Sequence, residues 1–205
     1  MKISIIGCLA IILFLTSCTK KHNDCPKEGY EYINNISYCQ YISSMDSISL
    51  KDSIILIASI PRTFPDETSN VIVHNTSDIA EGPLHITMLY PTETAAADSF
   101  EITARKGQVI KDTLQFSEDM LKGFRTIRWD QNSNDSFQIK ISIKPLVKGV
   151  YIIALGQQGS KDKDCALYKY FLNVGSEQHL YYLSQYNNGY IGDYERNFGY
   201  CFKVY

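Results

Sequence analysis

The 205-residue sequence contains one tryptophan and has no Walker phosphate loop, G-x-S-x-G elbow, H-E-x-x-H helix or C-x-x-C pair. It therefore lacks a local signature for nucleotide hydrolysis, serine acyl transfer or zinc chemistry, and no cofactor is implied. A surplus of basic charge is missing too, since 20 Lys and Arg stand against 22 Asp and Glu. Nothing in that balance draws the chain to nucleic acid or to an anionic membrane surface. His22, His74, His85 and His179 are scattered, none with a second histidine four residues away. Long apolar runs are absent after residue 15, and the run over residues 5–15 is too short to remain as a membrane-spanning helix.

That short run is nevertheless informative. It follows Met1 and Lys2 and ends in Leu15-Thr16-Ser17-Cys18, the layout of a secretory signal. The last four residues resemble the lipobox of bacterial lipoproteins. The resemblance implies cleavage after Ser17 and a diacylglycerol on Cys18, so the membrane is met through lipid. Residues 1–17 then form a signal peptide and residues 18–24 a polar tether. Residues 25–205 form one domain at the cell envelope, expected on the outer membrane. In lipoproteins of the Bacteroidota, acidic residues directly after the lipidated cysteine mark surface export. Here Lys20 and Lys21 precede a single Asp24, which leaves the side faced, periplasm or exterior, open. The tail, through Lys161-Asp162-Lys163-Asp164-Cys165-Ala166-Leu167-Tyr168 and Tyr200-Cys201-Phe202-Lys203-Val204-Tyr205, is similar to those of Bacteroidota envelope lipoproteins. That likeness brings no activity with it.

Of six cysteines, Cys8 leaves with the signal and Cys18 carries lipid, so Cys25, Cys39, Cys165 and Cys201 remain. An even number in an exported chain points to two disulfides, although four cysteines allow three pairings. The sequence-local pairing, Cys25 with Cys39 and Cys165 with Cys201, is the one expected. It would staple an N-terminal loop over residues 25–44 and the C-terminal tail, contributing roughly 3 and 4 kcal/mol on the loop-closure model.

Between these ends the pattern is that of strands. Residues 52–60 are a continuous β-branched run ending at Pro61, and residues 137–143 alternate Phe-x-Ile-x-Ile-x-Ile, which gives one strictly apolar face. Further strands are expected over 71–74, 84–90, 100–104, 109–116, 124–129, 165–174 and 198–205. Turns are expected at Gly82-Pro83 and residues 156–164, with a hairpin at Lys106-Gly107. Helical signals are confined to a connector at 117–123 and a segment over 176–187, capped by Ser176 and closed by Asn188-Gly189. Residues 145–155 resemble the late-strand corner of immunoglobulin-like sandwiches, where a Tyr after a Gly turn bonds back to upstream backbone. The expected fold is a mainly β, antiparallel β-sandwich of immunoglobulin-like architecture with a short C-terminal helix.

Residues 130–135 begin like a calcium loop but carry Asp135 where Gly is needed and Ile141 where the bidentate Glu belongs, so they read as a polar hairpin loop and no metal site is expected. Asp162, Asp164, Asp193 and Glu195 offer carboxylates without a fixed pairing. Tyr181, Tyr182, Tyr186, Tyr190 and Tyr194 crowd a glycine-rich segment, where aromatics either stack on sugars and partners or fill a small core. Asp-Ser-Ile and Asp-Thr-Leu triplets at Ser47, Ser53 and Thr113 resemble the Bacteroidota O-glycosylation sequon. The sequence thus points to a lipid-anchored envelope protein with a binding or structural role toward a glycan or an envelope protein, rather than to catalysis. A small envelope hydrolase is the alternative. Replacing Cys18 by Ala is expected to move the protein from the membrane to the soluble fraction, because stable anchoring needs two or more acyl chains. Unchanged membrane association on cell fractionation would contradict the lipidation.

Overall fold

The computed structural model describes residues 30–43, 47–111, 122–132, 135–162, 165–174, 182, 185 and 199–205. The chain is mainly β. Its strands are β1 (Glu31–Ile42), β2 (Ser47–Ile48), β3 (Ile54–Pro61), β4 (Thr63–Pro65), β5 (Ile72–His74), β6 (Glu81–Tyr90), β7 (Thr94–Ala95), β8 (Phe100–Lys106) and β9 (Gln108–Ile110). They continue with β10 (Phe124–Arg128), β11 (Asp130–Asn132), β12 (Ser136–Pro145), β13 (Gly149–Leu155), β14 (Gln158–Lys161), β15 (Leu167–Val174) and β16 (Gly199–Val204).

Hydrogen bonding links these strands, except the separate β4–β5 pair, into one sheet whose main path runs β11-β12-β3-β1-β15-β14-β6-β13-β16-β2, with β7 and β10 branching from β6, β9 from β10 and β8 from β12. The sheet folds over on itself. Ring contacts show which strands face each other: Tyr41 of β1 stacks on Tyr200 of β16 at 4.9 Å, and Phe100 of β8 meets Tyr151 of β13 edge-on at 4.8 Å. The layer centred on β12, β3, β1 and β15 therefore packs against the layer of β6, β13 and β16, and their inward side chains form one core. Alternation explains the inward faces. Phe137, Ile139, Ile141 and Ile143 of β12 are buried, as are Ile54, Leu56, Ala58 and Ile60 of β3. The run over 52–60 thus fills the core with one face, while the other is half-buried.

β13 is buried on both faces. Tyr151, Ile153 and Leu155 enter the central core; Val150 and Ile152 form a smaller outer cluster with Leu89, Tyr182 and Cys201. The Tyr151 hydroxyl donates to the carbonyl of Val147 at 3.0 Å, which is the back-bond expected at the 145–155 corner.

Several expectations are corrected. The sandwich is not wholly antiparallel, because β1 runs parallel to β15 and β16 parallel to β2. Residues 31–42 are no stapled loop but a strand between β3 and β15. β8 and β9 form no hairpin at Gly107: β8 pairs with β12 and β9 with β10, so the chain changes layer there. Gly107 has φ +79°, and a β-carbon would come within 2.7 Å of the Arg128 carbonyl. Gly82 and Pro83 lie inside β6 rather than in a turn. A β-carbon on Gly82 would meet Gln158 at 2.6 Å, so the missing side chain admits Gln158, which accepts from the Trp129 indole at 2.9 Å and donates to the Gly156 carbonyl at 2.7 Å. With its amide satisfied in this way, Gln158 is buried, and the expected polar loop over 156–164 contains β14. The connector at 117–123 lies outside the described residues apart from Lys122 and Gly123. The helix expected over 176–187 lies outside them apart from Tyr182 and Gln185, both of which have α-helical backbone.

The disulfide pairing changes too. Cys39 and Cys201 are buried thiols, Cys39 in the central core and Cys201 in the outer cluster. Burial pushes the Cys39 thiol far up and that of Cys201 to about 12, so both are held neutral. Cys165 is disulfide-bonded, to a partner outside the described residues. Alkylation of unreduced, denatured protein lacking residues 1–18 is expected to modify Cys39 and Cys201 and to spare Cys165 until reductant is added. Peptide mapping that found Cys201 in a disulfide would refute this arrangement.

Candidate functional site

The described residues expose ten large hydrophobic side chains, and the fold sorts them to its two ends. Ile42, Tyr90, Leu146, Val147 and Tyr205 lie where β1, β6, β12 and β16 end and β13 begins. Tyr30, Val71, Ile72, Ile79 and Leu167 lie at the other end, where β1 and β15 begin. The second group surrounds connected grooves, and these are built around the β4–β5 hairpin.

The hairpin is held from beneath by Arg62. This buried guanidinium donates to the carbonyls of Asn75 (2.9 Å) and Ser77 (3.0 Å) and lies 5.3 Å above the Phe137 ring. Asn75, fully buried, donates through its amide to the Ser160 hydroxyl at 2.7 Å and to the Tyr170 hydroxyl, tying the hairpin's exit to β14 and β15. At the entry, the Asp66 carboxylate accepts from the Ile33 N–H (2.8 Å) and from the N–H and hydroxyl of Ser69 (2.8 and 2.6 Å). These bonds, the Ser69 hydroxyl foremost, hold its pKa below the usual carboxylate range.

One groove, of about 430 Å³, has Val71, Ile72, Val73 and His74 along one wall and Tyr30, Tyr32, Ala166, Tyr168 and Asp162 along the other. Tyr32 stacks on Tyr168 at 5.5 Å because the parallel β1–β15 register sets them side by side, and Phe64 meets Tyr168 edge-on from below. Asp162 accepts from the Tyr168 hydroxyl (2.7 Å), the Thr76 hydroxyl (3.0 Å) and the Ala166 N–H (2.9 Å). It also borders a second groove of about 210 Å³ with Thr76, Ile79 and Lys161. Ile79 and Lys161 continue into a third of about 400 Å³ that reaches Leu167 and the Arg128–Glu81 ion pair. Volumes of this order suit small ligands or short peptide segments.

A Thr–His–Asp grouping lies on the rim. The Thr63 hydroxyl is 2.8 Å from His74 Nδ1 and 3.4 Å from Asp135, and His74 Nδ1 is 4.0 Å from Asp135. In a nucleophilic triad the carboxylate holds Nδ1 while the hydroxyl meets Nε2. Here hydroxyl and carboxylate approach the same nitrogen, on an exposed surface, so the order needed for proton transfer is not present. His74 and Asp162 line one groove, but each is engaged with other partners.

Among the sequence-expected site residues, Tyr182 is buried in the outer cluster and is structural. Tyr181, Tyr186, Tyr190, Tyr194, Cys18, Cys25, Thr113, Asp164, Asp193, Glu195, His22 and His179 lie outside the described residues. Ser47 and Ser53 are half-buried near the β2 edge, and His85 sits in β6 with its ring 6.0 Å from that of Phe124. The calcium-like stretch forms β11, whose register with β12 makes it a hairpin arm. Among the described residues no group of three His, Cys, Asp or Glu side chains is placed to hold a metal. Tyr30, Tyr32, Val71, Ile72 and Tyr168 were not singled out in the sequence. The paired spacings Tyr30-x-Tyr32 and Tyr168-x-Tyr170 were the available signal, but only the β1–β15 pairing joins them.

No protein-family model and no curated protein matches the sequence. Weak similarity is found to solved structures, among them two cohesin modules. A cohesin module from a Clostridium perfringens family 33 glycoside hydrolase is 12% identical over 69% of this chain and 99% of its own, with a TM-score of 0.35. A non-cellulosomal cohesin from Archaeoglobus fulgidus is 10% identical over 71% of this chain and 96% of its own, with a TM-score of 0.28. Similarity at that level carries no argument about fold or function.

Burial raises the hydroxyl pKa of Tyr151, Tyr168 and Tyr170 to about 12, with Asp162 adding to the effect at Tyr168. The unfolded chain releases these protons near pH 10 while the folded chain keeps them, so stability should hold below pH 10 and fall as pH rises from 10 to 12. Thermal melting across that range, with tyrosinate absorbance recorded in parallel, checks this. A flat melting temperature through pH 12 would contradict it.

Proposed function

We propose that the protein is a non-catalytic binding domain, carried at the cell envelope by a lipid on Cys18, and that it binds through the groove beside the β4–β5 hairpin. The observation that carries the reading is the concentration of Tyr30, Val71, Ile72, Ile79 and Leu167 around connected concavities whose polar framework is already satisfied internally. An aromatic wall facing an aliphatic one, with few fixed polar groups, favours recognition over proton transfer. Asp162 supports this, since both its carboxylate oxygens accept hydrogen bonds that brace the groove.

Eleven residues separate Cys18 from Tyr30. Fully extended they span at most about 40 Å, so a lipid on Cys18 would keep the groove end within that distance of the bilayer. A partner in the same envelope, protein or glycan, is thus the class within reach.

The test compares Ile72→Lys, in the groove, with Leu146→Lys, at the opposite end. Both residues are exposed, so both variants should fold. Partner capture from envelope extracts and glycan-array binding are expected to fall about tenfold or more for Ile72→Lys and to stay at the parental level for Leu146→Lys. Equal behaviour of the two variants would overturn the assignment of the groove.

A further inference from the structure

Among the described residues, no strand pairs with the outer side of β5 in the β4–β5 pair. Its register is Thr63↔His74, Phe64↔Val73 and Pro65↔Ile72. Bonds on the same diagonal, from Asn75 N–H to the Arg62 carbonyl (2.7 Å) and from Asp66 N–H to the Val71 carbonyl (2.8 Å), fix its phase. In an antiparallel ladder, residues whose main chain faces the partner strand alternate with residues whose main chain faces away. Val71, Val73 and Asn75 therefore face β4, and the N–H and C=O groups of Ile72 and His74 point to the free edge. The same residues form a wall of the 430 Å³ groove.

We infer that this edge takes up an extended peptide segment as an added strand, apolar along the groove and carrying a basic side chain opposite Asp162. The inference rests on the groove reading above and names its partner class. Its main-chain bonds would come from Ile72 and His74, and side chains at every second position would reach the apolar and aromatic walls. Charge sets the rest of the partner's chemistry. Among the described residues lining this groove, Asp162 carries the one carboxylate and His74 the one basic ring, so a Lys or Arg on the incoming strand is the group complementary to Asp162. An exposed edge this short is a poor template for uncontrolled aggregation, which fits a strand kept open for a chosen partner.

The experiment selects a phage-displayed library of random heptapeptides on the wild-type protein and then measures amide hydrogen exchange with the capped, synthesised winner. Selected sequences should alternate apolar residues and carry one Lys or Arg. Exchange of the Ile72 and His74 amides should slow by about tenfold or more, while Val73, already paired with β4, should change little. Ile72→Pro, which removes one edge N–H and keeps an apolar side chain, should lose the peptide, and Ile72→Val should retain it. Failure to enrich such peptides over the Ile72→Pro protein overturns the inference, as does binding that leaves both amides unprotected. Protection without peptide in a dimer detected by light scattering would make a second copy the occupant and also overturn it. If Ile72→Lys still abolishes envelope capture while strand pairing fails, the groove reading stands and only this inference falls.

Discussion

The parallel pairing of β1 with β15 is the constraint on which the rest of the molecule depends. It joins the start of the described chain to a strand far along the sequence, over Glu31↔Leu167 to Cys39↔Val174, with an irregularity between Asn34 and Ser37. Neither strand can be placed by local turn chemistry, because parallel neighbours need a long crossover, and here nearly the whole sandwich is that crossover. Once they are paired, β3 adds to the free side of β1 and β14 to that of β15, and the single bridge Gly159↔Glu81 carries the sheet into its second layer. The groove follows from the same register: Tyr32 and Tyr168 share a level, and the hairpin roots itself on β1 through the Asp66 carboxylate and on β15 through Tyr170.

Elements with a periodic apolar face were legible in the sequence. β12 and β3 reveal themselves by alternating or continuous β-branched residues, and Tyr151 announces its own back-bond to Val147 by following a Gly turn. Polar side chains turned inward hid the others. Gln158 and Ser160 made β14 look like solvent-exposed loop, whereas Gln158 serves the Trp129 indole and Ser160 takes the Asn75 amide. Gly82-Pro83 looked like a turn because both residues usually break strands. Here the glycine makes room for Gln158, and the proline, which lacks an N–H, still offers its carbonyl to Gly156 and Gln158.

Cysteine arithmetic misled for a different reason. An even count in an exported chain argues for bridges but says nothing about which residues fold into the interior. Cys39 lies on the inward face of β1 and Cys201 on the outward face of β16, where each behaves as a small apolar side chain, so they contribute by packing rather than by closing loops. The same outer cluster takes in Tyr182, which turns one member of the aromatic tail from a candidate contact into a cover for β13 and β16. Among the described residues, the aromatic wall of the groove is assembled from residues that sequence distance had kept apart.

The two ends of the sandwich carry equal numbers of exposed large hydrophobics among the described residues, so apolar exposure alone does not choose between them. Shape and main-chain chemistry do. At the Leu146–Val147 end, the apolar side chains stand on strand tips and on a turn whose backbone is already engaged by the Tyr151 hydroxyl and the Ser99 carbonyl. At the hairpin end they line concavities, and the main chain of Ile72 and His74 faces outward beside them. Apolar side chains on strand tips offer a partner area, while a concave wall bordered by an open strand edge also supplies direction and register. Specific recognition depends on those two properties.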